Sequence, residues 1–247
     1  MESDTLVHLF DIASTLTGRS RSWSPFTLRA RMVLNYKQIP YSQSYIPYPD
    51  IASTLTDLGV APNQTGMAYT FPAIVHRNEP SISNRNGALM DSFAIATHLN
   101  HSFPSPRLFP SDASYPLALA VDRLVFAVIM KGLALAIPPA AEILDPRSRA
   151  YFVETRSAFF GKPLADVRPK DPSEVQKITE DMKAEMEPLA QMLRGQTPDK
   201  KTGPFFEGAN PGFADFVVVS FLVWLERVDR ELWAELCGVG EGEFRAL

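Results

Sequence analysis

Hydrophobic and polar positions change rhythm part-way along the chain. Over the first hundred residues, short runs alternate between strand and helix periods. TLVHLFDIA (5–13) is rich in strand formers and is followed by the turn-rich STLTGRSRS, which predicts a central strand. From Ser24 onward Phe26, Ala30, Val33 and Leu34 recur at i, i+4, i+7 and i+8, the mark of a helix with one buried face. That helix ends within 35–40, because Pro40 cannot continue it and disfavours the helical region at Ile39. YSQSYIPY (41–48) reads as a strand, 48–66 as irregular chain with one helical turn, and YTFPAIVH (69–76) as a strand with a proline at its mouth. EPSISNRNG is turn-rich, and ALMDSFAIATHLN (88–100) passes from a short strand into a helix beginning near Ser92. The order β-α-β then β-β-α predicts a small mixed sheet covered by helices.

The rhythm then breaks at HSFPSPRLFPSDASYP, where four prolines fall within 16 residues. Such a segment is stiff and extended, so it marks a boundary: a first domain over 1–102, a proline-rich linker over 103–115 and a second domain over 116–247. The second domain is helical in pattern throughout, at 116–136, 147–160, 172–194 and 212–236. Its greasiest run, FADFVVVSFLVWL (213–225), has 13 residues and contains Asp215. A bilayer needs roughly 20 apolar residues, so this run predicts a helix buried on every side. ITEDMKAEMEP (178–188) reads as a solvated face or a subunit edge.

Composition narrows the function classes. A chain of 247 residues with 45% hydrophobic and 21% charged residues can bury a full core. Its net charge of -4, with no basic stripe, gives no field for nucleic acid. The single cysteine, Cys237, excludes an internal disulfide and suits a reducing, cytoplasmic setting. The N-terminus carries no basic leader segment, so no signal peptide is expected. His8, His76, His98 and His101 lack metal-type spacing, and no metal is expected.

Three local signals carry candidate chemistry. Ser24-Pro25 opens a helix with a favoured cap residue and a favoured first residue, which by itself reads as structural. Asp91-Ser92 ahead of FAIATHL is a second such helix start, and Phe71-Pro72 stands at the mouth of a strand. Asp215 fits a capping-box position, but Gly212 three residues earlier offers no side chain, so half of the reciprocal cap is absent and the role reads as structural.

SWSPFTLRARMVLNYKQIPY, YTFPAIV and MDSFAIATHL, in this order and spacing, resemble the cytosolic glutathione S-transferases. WSPFTLRARMVLNYKQIPY, YPDI, PRLFP and YFVETRSAFFGKPL further resemble the fungal branch related to bacterial β-etherases, and the likeness runs from about residue 5 to about residue 228. The resemblance implies an α+β protein with a thioredoxin-like βαβ-ββα domain, an all-helical C-terminal domain, a homodimer and glutathione as cosubstrate. It implies that Ser24 donates a hydrogen bond to the glutathione thiolate, with Ser22 as the second choice. It implies a cis Pro72, with the Phe71 backbone pairing with the cysteinyl part, and Ser92 and Asp91 at the γ-glutamyl end. A hydrophobic electrophile would lie against Phe26, Val125, Phe126, Ile129 and Met130. Omega-type relatives carry cysteine where this chain has Ser24, so conjugation or ether cleavage is implied over disulfide exchange. The alternatives are an isomerase or tailoring enzyme of fungal secondary metabolism, and a non-catalytic carrier of hydrophobic ligands. One departure stands out: relatives offer a cation to the glycine carboxylate from the region after the second strand, and this chain has no Lys or Arg between Lys37 and Arg77. Losing one charge-assisted bond weakens binding by about 1.5–3 kcal/mol.

Overall fold

The computed structural model describes residues 6–77, 82, 84–195 and 202–247. Strands β1 (Val7–Ile12), β2 (Tyr41–Ile46), β3 (Ala73–His76) and β4 (Ala88–Met90) alternate with helices α1 (Pro25–Tyr36), α2 (Ile51–Asp57) and α3 (Ser92–Ser102). Helices α4 (Ser114–Ala140), α5 (Pro146–Phe160), α6 (Pro172–Arg194), α7 (Phe213–Val228), α8 (Arg230–Leu236) and α9 (Glu243–Ala246) complete the chain. Two compact units result: residues up to Arg107 with Leu144–Phe152, and Leu108–Ile143 with Val153–Leu247.

The first unit is a four-stranded sheet in the order β2-β1-β3-β4. β1 runs parallel to β2 and antiparallel to β3, which is antiparallel to β4. Along β1 the residues Val7, Leu9 and Asp11 share one face, by the two-residue period of a strand, and all three are fully buried. α1 turns Leu28, Ala30, Val33 and Leu34 inward and is followed by Lys37, whose ammonium donates to Asn100 Oδ1 (3.1 Å), Phe103 O (2.8 Å) and Pro106 O (2.7 Å). That lysine ties the start of the proline-rich segment to α1. The region expected to be irregular with one helical turn holds more order: a 3-10 turn at Tyr48–Asp50 leads straight into the seven-residue α2, anchored by Ile51 and Leu55. Two apolar residues one turn apart are too few to produce a readable period. Part of EPSISNRNG lies outside the described residues.

The tail end of this unit is the beginning of α5. Ser148 Oγ accepts the Tyr48 N–H (3.0 Å), and the Tyr48 ring meets Tyr151 (6.3 Å) and Phe152 (5.5 Å) between centroids. Arg147 holds Asp50 through two parallel bonds of 2.5 and 2.6 Å.

In the second unit α4 packs on α6 and α7. Its buried row is Ala118, Val121, Val125, Val128, Gly132, Leu135 and Ala136. Ser114–Ile143 is long and apolar enough by length and mean hydropathy (1.9) to cross a membrane, but its buried row makes it a core helix of the bundle. α7 is buried around nearly its whole circumference, as expected of FADFVVVSFLVWL. The helix expected over 212–236 is broken: Asp229 adopts φ -153° and ψ 92°, ends α7, and caps α8 by accepting the Leu232 N–H (3.0 Å). Apolar residues continue across the break, so the pattern alone does not reveal it. Asp215 is structural in form: its carboxylate accepts the Gly212 N–H (2.7 Å) and, in place of a returning cap, the Phe206 N–H (2.9 Å).

Candidate functional site

Strand pairing brings three chain segments to one edge of the sheet. Phe10 of β1 lies opposite Ala73, the first residue of β3, and Ala73 lies opposite Met90, the last residue of β4. The end of β1, the mouth of β3 and the end of β4 therefore share that edge. From β1 the chain passes through a 3-10 turn at Gly18–Arg21 to Ser24; into β3 it enters through Phe71-Pro72; from β4 it leaves through Asp91-Ser92.

Ser24 occupies the N-cap position of α1 with φ -66° and ψ 132°, yet its hydroxyl makes no capping bond. Its carbonyl accepts the Leu28 N–H (2.9 Å) and the Thr27 hydroxyl (3.1 Å). Cap position and cap function are separated here: at the positive end of a helix stands a serine, 5% exposed, whose hydroxyl has no partner among the described residues. The Phe71-Pro72 peptide is cis, and among the described residues nothing takes the Phe71 N–H or C=O. Asp91 holds the left-handed φ of +85°, uncommon for a residue with a Cβ, and its Oδ1 accepts the Phe93 (2.9 Å) and Ala94 (3.0 Å) N–H groups. Its N–H reaches Pro72 O (3.3 Å), which locks the two segments together. Ser92, the first residue of α3, is buried and its hydroxyl has no partner among the described residues.

Ser22 differs from expectation. It is fully buried, and its oxygen accepts from Arg31 Nη1 (2.7 Å) and Gln43 Nε2 (3.0 Å), so it has no free side to offer a ligand. The same Gln43 Nε2 donates to Asp11 Oδ2 (2.8 Å). Burial pushes the Asp11 carboxyl up from its ordinary range, against the hydroxyls of Ser22 and Thr27, the Ile12 N–H and the Arg31 charge. Sequence reading missed Asp11, Arg31 and Gln43. The one available signal was a carboxylate at the core-facing position of β1, in line with Val7 and Leu9.

Of the expected substrate wall, Phe26 is exposed on α1 beneath the Arg29 guanidinium (4.8 Å from the ring centroid). Phe126 and Met130, one turn apart on α4, are each 48% exposed, and Ile129 is half-buried. Val125 is a correction: it is 0% exposed, because one residue's 100° rotation puts it in the row of Val121 and Val128 against the bundle. It is core and not wall.

Neither Lys37 nor Arg147, two cations that lie next to 38–76, is free for a carboxylate. Lys37 is buried and fully engaged; burial lowers its pKa to about 8. Asn63 donates to Met67 O (2.9 Å), whereas Gln64 is exposed with no partner among the described residues. Arg147 does arrive beside 48–50, but Asp50 engages both its terminal nitrogens. Among the described residues no three His, Cys, Asp or Glu side chains group to hold a metal; His76 Nδ1 and His98 Nε2 pair with each other at 2.9 Å.

A thioredoxin-like sheet with a cis proline at its edge, followed by a helical bundle, defines the class. The chain belongs to the glutathione S-transferase family: residues 23–102 match its N-terminal domain and residues 117–247 its C-terminal domain. It is 52% identical over 243 residues to the glutathione S-transferase-like protein ustS of Aspergillus flavus, covering 98% of this chain and 88% of that one. Among solved structures it is similar to a glutathione S-transferase of Ceriporiopsis subvermispora in complex with glutathione (TM-score 0.82, 28% identity, 98% of this chain and 94% of that one). It is also similar to the glutathione transferase GSTFuA2 of Phanerochaete chrysosporium (TM-score 0.81, 27% identity, 98% and 95%).

Proposed function

We propose that the protein is a serine-type glutathione transferase in which Ser24 donates a hydrogen bond to the glutathione sulfur. The observation that carries this reading is the Ser24 hydroxyl, left without a capping bond at the start of α1. A free thiol with a pKa of about 8.5 is mostly protonated at neutral pH, and a donor hydroxyl together with the helix terminus favours the thiolate. Serine itself is no nucleophile in this scheme. The tripeptide lies along the sheet edge: its cysteinyl amide groups pair with the Phe71 N–H and C=O, its α-carboxylate meets the Ser92 hydroxyl and the α3 terminus, and its α-ammonium meets Asp91. The thiolate then attacks an electrophilic carbon of a hydrophobic substrate; the carbon–sulfur bond forms as the leaving group departs, in conjugation or ether cleavage. Phe26, exposed on α1, is the apolar contact we assign to that substrate.

The likeness to fungal proteins supports a tailoring role in fungal secondary metabolism, including isomerisation by thiolate addition and its reversal. A cytoplasmic homodimer is part of the same reading. The basic-residue gap at 38–76 favours a second reading, a carrier of hydrophobic ligands without turnover. Calorimetry with glutathione, then turnover of an activated aryl chloride by wild type and Ser24→Ala, separates them. The transferase reading expects binding in both proteins and a rate loss of tenfold or more in the variant. Absence of heat at millimolar glutathione refutes it.

A further inference from the structure

We propose that the buried network of Asp11, Ser22, Gln43 and Arg31 is a positioning device that keeps the Ser24 hydroxyl away from its own helix and available to a bound thiol. This rests on the serine reading above. The four residues come from four segments: the end of β1, the turn before α1, the middle of β2 and the second turn of α1. Ser22 lies two residues before Ser24 and is the node. It accepts from Arg31 Nη1 (2.7 Å) and Gln43 Nε2 (3.0 Å), which occupies both lone pairs, so its own proton faces the Tyr45 hydroxyl (3.4 Å). Gln43 Nε2 gives its second proton to Asp11 (2.8 Å) and so links Ser22 to Asp11, and the Ile12 N–H donates to the other carboxylate oxygen (2.7 Å). A hydroxyl bonded on three sides cannot rotate, and the backbone that carries it is held accordingly. Beyond Trp23, the Thr27 hydroxyl holds the Ser24 carbonyl (3.1 Å), so the turn is fixed on both sides of the Ser24 side chain.

The consequence lies in what Ser24 does not do. A serine at an N-cap ordinarily accepts the N–H of the second or third helical residue. Here the extended φ, ψ pair of -66°, 132° is kept while that bond is absent. Loosening the Ser22 anchor lets the turn relax so that Ser24 caps α1 in the ordinary way, which withdraws the donor from the sulfur. Burying one carboxylate, one hydroxyl and one amide together is also a poor way to gain stability alone, since apolar replacements of similar volume often do as well. The charges that face this node are Asp11 and Arg31, with Arg21 stacked over the neighbouring Tyr45 ring at 3.9 Å.

The test reads the thiolate absorbance of bound glutathione against pH. Ser22→Ala changes no charge, so any shift it causes is positional. The expected result is a rise in the apparent pKa of the bound thiol by about one unit, a tenfold smaller thiolate fraction on the acid side of that pKa, with KM for glutathione within about twofold of wild type. Asp11→Asn and Gln43→Met, which break the network elsewhere, should shift it the same way. A bound-thiol pKa unchanged in all three variants, even with lowered unfolding midpoints, reduces the network to a structural role and overturns the proposal. So does a fall in that pKa in Asp11→Asn, which would mean that Asp11 acts through its charge. If wild type itself binds glutathione without any thiolate band, the serine reading fails first, and the two failures are told apart by that control.

Discussion

Lys37 offers a stability experiment whose sign follows from its surroundings. Its ammonium is enclosed, 6% exposed, and burial lowers its pKa from 10.5 to about 8. Below pH 8 both folded and unfolded chains carry the proton, so linkage is silent there and the cost of burying the charge is present in full. Between pH 8 and 10.5 the unfolded chain still holds a proton that the folded chain has released, so stability rises with pH through this window. The full depression corresponds to roughly 3 kcal/mol, most of it reached by pH 10. Lys37→Met keeps the stem and removes the titration, while leaving two backbone carbonyls and the Asn100 oxygen without this donor. Urea unfolding of both proteins at pH 7 and pH 10 isolates the effect, because the other titrating groups cancel in the difference. Wild type should gain roughly 2–3 kcal/mol on the variant over that interval. A difference that does not change with pH would show that Lys37 is solvated and would refute the reasoning.

Other outcomes follow from single contacts. Asp215→Ala removes the acceptor for two N–H groups and should lower stability by about 2–4 kcal/mol in chemical denaturation, with activity per folded molecule unchanged. Asp229→Ala removes the α8 cap and the partner of Arg168 (2.7 Å); a loss of about 2–3 kcal/mol in thermal unfolding is expected. On α4, neighbouring residues should behave oppositely. Val125→Ala should cost about 2 kcal/mol of stability in urea unfolding, whereas Phe126→Ala should leave stability within about 0.5 kcal/mol.

Much of the first unit was legible because its elements announce themselves locally. Ser24-Pro25 marks the start of α1, Asp91 ahead of an apolar run marks α3, and β1 and β3 carry strand-forming residues next to turns. What stayed hidden depends on contacts between distant residues or on features without a period. α2 has only Ile51 and Leu55 facing inward. The break at Asp229 replaces one helical residue by a cap while the apolar pattern runs on. Val125 and Phe126 differ by one position, and their assignment to core or surface depends on which neighbours α4 meets. At the site, a motif could mark Ser22 and Ser24 together but could not rank them. Only the meeting of Gln43 and Arg31, 21 and 9 residues away from Ser22, shows which hydroxyl is engaged.

The most direct test of the central claim is the structure of the protein with glutathione bound. The account predicts the sulfur within hydrogen-bond reach of Ser24 Oγ, the cysteinyl amide groups paired with the Phe71 backbone and the α-carboxylate on Ser92. A tripeptide bound with its sulfur turned away from Ser24, or lying off this sheet edge altogether, would contradict it.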